Sequence, residues 1–157
     1  LGIDPADENR LLGVMVAVLR RSLPFDLKKS VLRAAPDDVV ALKRHLRRGR
    51  PDAFVCSNDS AAAIFRQTLA AAGLDVPKDV MLAGFGDLPI AALMAPPLTT
   101  IRQHTAEIAD EAFRRLLAWI ADPTLKPVKI AVAAPLVPRA STGRRHGRAE
   151  KNLKKHT

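Results

Sequence analysis

The sequence holds 157 residues, 48% of them hydrophobic and 26% charged, which is enough for one domain with a core and too apolar for a disordered chain. No apolar run approaches the roughly 20 residues of a membrane span, and the first residues lack the basic-then-apolar pattern of a secretion signal, so no membrane partner is expected and a cytoplasmic protein is. The net charge of +9 looks like a nucleic-acid signature, yet six basic residues (Arg144, Arg145, Arg148, Lys151, Lys154, Lys155) against one acid, Glu150, place five of those charges in the last stretch, 144–157, which reads as a basic disordered tail.

In chain order, Leu1 to Ile3 reads as the stub of a strand. Asp4-Pro5-Ala6-Asp7 starts a helix to about Arg21, with Leu11, Leu12, Met15, Val18 and Leu19 on one face. A strand is expected over Lys29 to Ala34, and a second helix comes after Pro36-Asp37-Asp38, with Val39, Leu42 and Leu46 sharing a face. Asp52 to Cys56 reads as a short buried strand. Ser57-Asn58-Asp59 caps a helix from Ser60 to Ala72, which Gly73 closes.

The stretch Val76 to Gln103 organises the rest. A turn at Val76-Pro77-Lys78-Asp79 leads into the apolar segment Val80 to Ala83, which breaks at Gly84-Phe85-Gly86-Asp87 where a buried parallel strand should end. In open α/β sheets that carboxyl end is where ligands bind. A helix then covers Thr105 to Ala121, with Ile108, Phe113, Leu116, Leu117, Trp119 and Ile120 on more than one stripe, so it calls for cover on more than one side. Pro123 ends it, and a last strand is expected over Val128 to Ala133. Strands alternating with helices predict an α/β fold, a parallel-sheet three-layer sandwich.

No catalytic apparatus is legible. There is no glycine-rich phosphate loop, no serine nucleophile elbow and no paired acid at a defined spacing. His45, His104, His146 and His156 are scattered, without metal-ligand spacing. The single cysteine, Cys56, rules out an intramolecular disulfide and lies in an apolar strand, where it reads as a buried thiol; a dyad with His104 is the catalytic alternative. A protein that is not an enzyme is expected, with no cofactor and no metal.

Five motifs occur in order: Pro51-Asp52-Ala53-Phe54-Val55-Cys56-Ser57-Asn58-Asp59, Gly73-Leu74-Asp75-Val76-Pro77-Lys78-Asp79-Val80, Gly84-Phe85-Gly86-Asp87, Pro96-Pro97-Leu98-Thr99-Thr100-Ile101-Arg102-Gln103, and Arg139-Ala140-Ser141-Thr142-Gly143. Together they resemble the C-terminal part of the effector-binding core of lactose-repressor/galactose-repressor (LacI/GalR) family transcription regulators. The resemblance covers about residues 1 to 143 and implies the C-terminal lobe of a periplasmic-binding-protein-like (type I) fold. It also implies that the helix-turn-helix and the first lobe are missing, and that the helix 105–121 belongs structurally to that missing lobe. The start at Leu1, with the first methionine at Met15, suggests the tail of a longer reading frame.

Carried over residue by residue, the resemblance implies a ligand site of Arg10, Asn58, Gly86, Asp87 and Gln103. Arg10 would hold hydroxyls or carboxylates through its fork of donors; otherwise it is a solvent-facing helix residue. Asn58 would donate to and accept from hydroxyls, or serve only as a helix cap. Gln103 would sense closure at the crossover, or be ordinary loop polarity. Gly86 departs from the family's Gly-Phe-Asp-Asp pattern, and the loss of an anion beside Arg10 favours a sugar acid or other carboxylate. The resemblance further implies a homodimer through Ala62, Ala63 and Met94; as ordinary core the same residues would need no partner. The expected function is the ligand-sensing portion of a transcriptional regulator, with a small sugar or sugar acid as effector and operator DNA met only through the missing N-terminal domain. The alternatives are a periplasmic-type sugar-binding protein and a truncated homologue that has lost its ligand.

Overall fold

The computed structural model describes residues 5–143 of the chain. The expected Leu1 to Ile3 strand and the basic tail both lie outside the described residues. In order, the elements are α1 (Pro5–Arg20), α2 (Leu27–Ser30), α3 (Val39–Leu46), β1 (Ala53–Val55), α4 (Asp59–Ala71), β2 (Met81–Ala83), α5 (Pro89–Leu93), β3 (Thr100–Ile101), α6 (Thr105–Ala121), β4 (Leu136–Val137) and a 3-10 turn, Ala140–Thr142.

β1 and β2 pair in parallel, Ala53 with Met81, Phe54 with Leu82 and Val55 with Ala83. The chain beyond β2 continues the parallel pairing through bridges from Ala83 to Thr99 and from Gly86 to Arg102. β3 in turn pairs antiparallel with β4, Thr100 with Val137 and Ile101 with Leu136. The two-stranded units are thus joined at the point where the glycine-rich bend leaves β2.

The core lies between α4 and this sheet. Leu42 of α3, Ala62, Phe65 and Leu69 of α4, Leu74, Val80, Leu82 of β2, Ala91 of α5 and Leu98 form one buried cluster. On α4 the inward residues recur at three and four, the spacing of one helix face. Phe54 of β1 stands edge-on to Phe65, with ring centroids 4.9 Å apart, and His45 closes the other side at 6.2 Å. Burial of His45, aided by the charge of Arg48, lowers the imidazole's pKa.

Four expectations from the sequence are corrected by the structure. Lys29 to Ala34 is not a strand: Asp26 caps a short helix by accepting from the Lys28 amide at 2.8 Å, and residues 31–34 pair with no strand among the described residues. Val128 to Ala133 is likewise unpaired and largely exposed; the strand in that region is Leu136–Val137, the segment that reaches β3. β1 is not buried, since Val55 is 60% exposed; β2 pairs along one of its edges, and only the Phe54 side is packed. Ala62 is fully buried in the core and has no surface to offer a second subunit, whereas Ala63 and Met94 are half-buried.

α6 forms over the expected span, yet Phe113, Leu116, Leu117, Trp119 and Ile120 are all about half or more exposed. α1 has a similar open face at Leu12 and Leu19. Among the described residues no helix is long and apolar enough to cross a membrane.

Candidate functional site

The site grows from Gly84. A side-chain carbon there would sit 2.8 Å from Leu98 Cδ2 and overlap Asp59 Oδ1, so only glycine lets the bend pass this close to α4. Two residues on, Gly86 takes φ +127°, and Asp87 comes next at φ +56°. The bend is stitched on both sides. The Gly84 amide donates to Thr99 O and the Gly86 amide to Ile101 O, while the Asp59 amide donates to Phe85 O. The Gln103 amide reaches Gly86 O at 3.4 Å.

Asp59 is the buried pin beneath it. Its carboxylate is fully enclosed; Oδ1 accepts from the Thr100 hydroxyl at 2.6 Å and Oδ2 from the Leu88 amide at 2.8 Å. One side chain therefore ties the start of α4 to the residue after the bend and to β3.

Asp87 is held by two guanidinium groups. Arg139 Nη2 donates to Oδ1 at 2.7 Å and Arg102 Nε to Oδ2 at 2.6 Å. These hydrogen bonds, Arg139's first and Arg102's second, hold the Asp87 carboxyl below the usual carboxylate range. Arg139 also donates to Leu98 O at 2.9 Å. Next to it the Ser141 hydroxyl donates to Leu82 O at 2.6 Å and accepts from the Thr99 amide at 2.8 Å, so the Arg139 to Thr142 turn is fastened beneath β2.

The structure brings the residues singled out in the sequence to one place. Asn58, at the carboxyl end of β1, lies beside the bend through the Asp59 to Phe85 hydrogen bond. Arg10 reaches over from α1, its guanidinium carbon 4.4 Å from the centroid of the Phe85 ring, a cation–π arrangement. Gly86 and Gln103 are in direct backbone contact. Asn58 is also the N-cap of α4, its Oδ1 accepting from the Ala61 amide at 2.8 Å, which engages the acceptor half of the amide and leaves the donor half toward Ser57. Of the two readings of Asn58, the helix cap is the one observed.

Sequence reasoning missed Asp59, Arg102, Arg139 and Thr100 as parts of this assembly. Their partners lie 15 to 52 positions away in the chain, so no local pattern marks them. The Arg139-to-Gly143 motif was the available signal.

The rim is an open shelf, with Asn58 on its surface and the Arg102 side chain 50% exposed. Two cavities among the described residues lie elsewhere: one of about 290 Å3 beside Arg66, Leu74 and Lys78, and one of about 520 Å3 between Leu27, Leu32, Arg44 and His45. Among the described residues no cluster of His, Cys, Asp and Glu is arranged to hold a metal. Burial, seconded by the charge of Asp59, pushes the Cys56 thiol up to about 12, so it stays protonated and is not a nucleophile at neutral pH.

A family model described as a periplasmic binding protein-like domain matches residues 4–142. The ribose operon repressor of Escherichia coli strain K12 is 37% identical over 92 residues, which cover 59% of this chain and 28% of the repressor. A LacI-type transcription regulator from Bifidobacterium animalis subsp. lactis superposes with a TM-score of 0.74 at 29% identity, covering 91% of this chain and 52% of that one. The structure of a transcriptional regulator CelR–cellobiose complex gives the same TM-score and identity, over 84% of this chain and 41% of that one. The chain thus spans between about a quarter and a half of the length of these relatives.

Proposed function

Because the chain belongs to the family of periplasmic binding protein-like domains, we propose that it is the ligand-sensing lobe of a LacI-type transcriptional regulator, acting in the cytoplasm on a small sugar or sugar acid. One observation carries this reading. At the carboxyl rim of the parallel β1–β2 pair, where α/β sheets bind ligands, Arg10, Asn58, Gly86 and Gln103 converge on one bend although they come from four separate segments. No catalytic role is assigned to any of them.

The open shelf is half of a pocket, and the apolar faces of α1 and α6 are where the other half would pack. α6 on this view belongs to the opposite lobe. Its exposed Phe113, Leu117 and Ile120 form the surface that a partner lobe would cover. Ligand held between two lobes favours their closed arrangement, a population shift that changes how a DNA-reading segment elsewhere in the full protein is presented. Operator binding belongs to that segment.

A C2 pairing through α4 and α5 completes the proposal. Ala63 and Met94 border exposed Ile64, Ile90 and Leu93, the last 79% exposed, and these supply the apolar patch that Ala62 does not.

Thermal unfolding across a panel of monosaccharides, disaccharides and sugar acids tests the sensing role. A true effector raises the Tm in proportion to the logarithm of its concentration above Kd. A panel in which no compound moves the Tm would overturn the reading. Sedimentation that shows only monomer at high concentration would remove the dimer.

A further inference from the structure

We infer that the cavity of about 520 Å3 between α2, the segment after it and α3 is a second ligand site, one that takes a small organic phosphate. It is built from residues the rim does not use, so it holds whether or not the rim senses a sugar.

The lining decides the chemistry. Lys28 comes from α2, Arg33 from the segment that follows, and Arg44 and Arg48 from α3 and the turn that ends it. Ala41, Arg44, His45 and Arg48 recur at three and four, so α3 turns a single face to the cavity. No aspartate or glutamate lines it, and among the described residues none of the four cations is in an ion pair. The surroundings do not supply the missing anions. From Asp26 to Arg50 eight basic residues stand against three acids, and two of the three are occupied: Asp26 meets Lys29 at 3.8 Å and caps α2, while Asp38 caps α3. Cations near a helix C-terminus are drawn there by its carbonyls, which would account for Arg44 and Arg48 alone. It does not account for Lys28 and Arg33, which reach the same cavity from the opposite wall.

His45 is the one buried residue of the lining, only 6% exposed and backed by the Phe54 ring at 6.2 Å. Among the described residues its ring makes no hydrogen bond, so an enclosed polar group borders the cavity with its hydrogen bonding still to satisfy. Leu27, Val31, Leu32 and Ala41 complete the lining with apolar side chains. A phosphate monoester suits both parts. Its three acceptor oxygens and nearly two negative charges match several guanidinium forks at once, and its carbon skeleton meets the apolar wall. A lone carboxylate would leave most of the cations unmatched. The volume lies within the roughly 300–1,000 Å3 of small-molecule sites.

The test is titration of the chain with phenyl phosphate, followed by calorimetry and by the NMR signals of the His45 ring. The expected result is saturable binding that shifts those signals and weakens as salt is raised, with no binding of phenol, the uncharged counterpart. Arg44→Gln and Arg48→Gln should each weaken binding on the order of tenfold. Arg114→Gln removes the same charge from α6, where it pairs with Glu111, and should leave binding unchanged. Arg44 and Arg48 are exposed, and circular dichroism checks that their variants fold; the wild-type contrast with phenol stands without them. No saturable binding at millimolar phenyl phosphate, or a loss as large in the Arg114 variant, would overturn the site. A short DNA duplex that shifts the His45 signals at lower phosphate concentration than phenyl phosphate would overturn the assignment to a small molecule.

Discussion

Replacing Asp59 by alanine should cost the fold about 3 kcal/mol, although the residue is charged, polar and next to a helix start. The side chain is fully buried and accepts two hydrogen bonds, from Thr100 at 2.6 Å and from Leu88 at 2.8 Å. Hydrogen bonds to charged groups are worth about 1.5 to 3 kcal/mol each, and removing the acceptor leaves the enclosed Thr100 hydroxyl and the Leu88 amide short of a partner. Against that loss stands the desolvation cost of a buried carboxylate, which alanine relieves, so the lower end of the range is the right one. Asp59→Asn is the control. Its carbonyl can still accept from Leu88 and its amide can donate to Thr100, so it should lose only about 1 kcal/mol. Urea unfolding followed by far-UV circular dichroism measures both; Trp119 is half-exposed on α6 and reports the core poorly. With a slope of about 1–3 kcal/mol/M, the alanine midpoint should fall by between about 1 and 3 M at unchanged slope. An alanine variant within about 0.5 kcal/mol of the parent, or an asparagine variant as damaged as alanine, would refute the claim that this carboxylate pins the bend.

Gly84→Ala should lower stability by about 1 to 3 kcal/mol through overpacking, because Asp59 and Leu98, which the new carbon meets, are both fully buried; chemical denaturation checks it, and a neutral result would mean that the bend can move off α4. The Asp87 carboxyl, held low by Arg139 and Arg102, contributes stability that is present above the unfolded-state value near pH ~4 and is lost as pH falls through its lower folded value. Asp87→Asn should therefore flatten the acid limb of the stability profile, measured by thermal unfolding from neutral to acid pH, and leave the profile's shape at neutral pH unchanged. Cys56, with its thiol raised to about 12 by burial, should resist a thiol reagent at mildly alkaline pH in the native state and react quickly in urea; rapid native labelling would contradict the burial argument.

The sequence signals that held were local ones. α6 emerged over Thr105–Ala121 because its apolar periodicity and its stop at Pro123 are carried by the helix itself. β2 was legible because an apolar run ending in two glycines has few other uses. The expected strands over 29–34 and 128–133 did not form, because a strand needs a neighbour and nothing in either segment's composition says whether one is there. Asp26, two residues before Lys28, is the cap signal in the first of them, and the Val31–Leu32 pair points the other way. For Ala62 the clue was present: it lies three positions before Phe65 and seven before Leu69, on the face those large residues bury, and Ala63 does not. The grouping of Asn58, Gly86 and Gln103 was readable through motif order, whereas the Arg139 contact to Asp87 spans 52 positions and leaves no local trace.

The fastening of the Arg139 to Thr142 turn bears on how the chain is made. The carbonyl of Leu82, in the middle of the buried strand, receives its side-chain donor from Ser141, 59 residues later. During synthesis a nascent lobe that has α3, α4 and β2 in hand still waits for its latch, and until Ser141 clears the ribosome the Leu82 carbonyl lacks its side-chain donor.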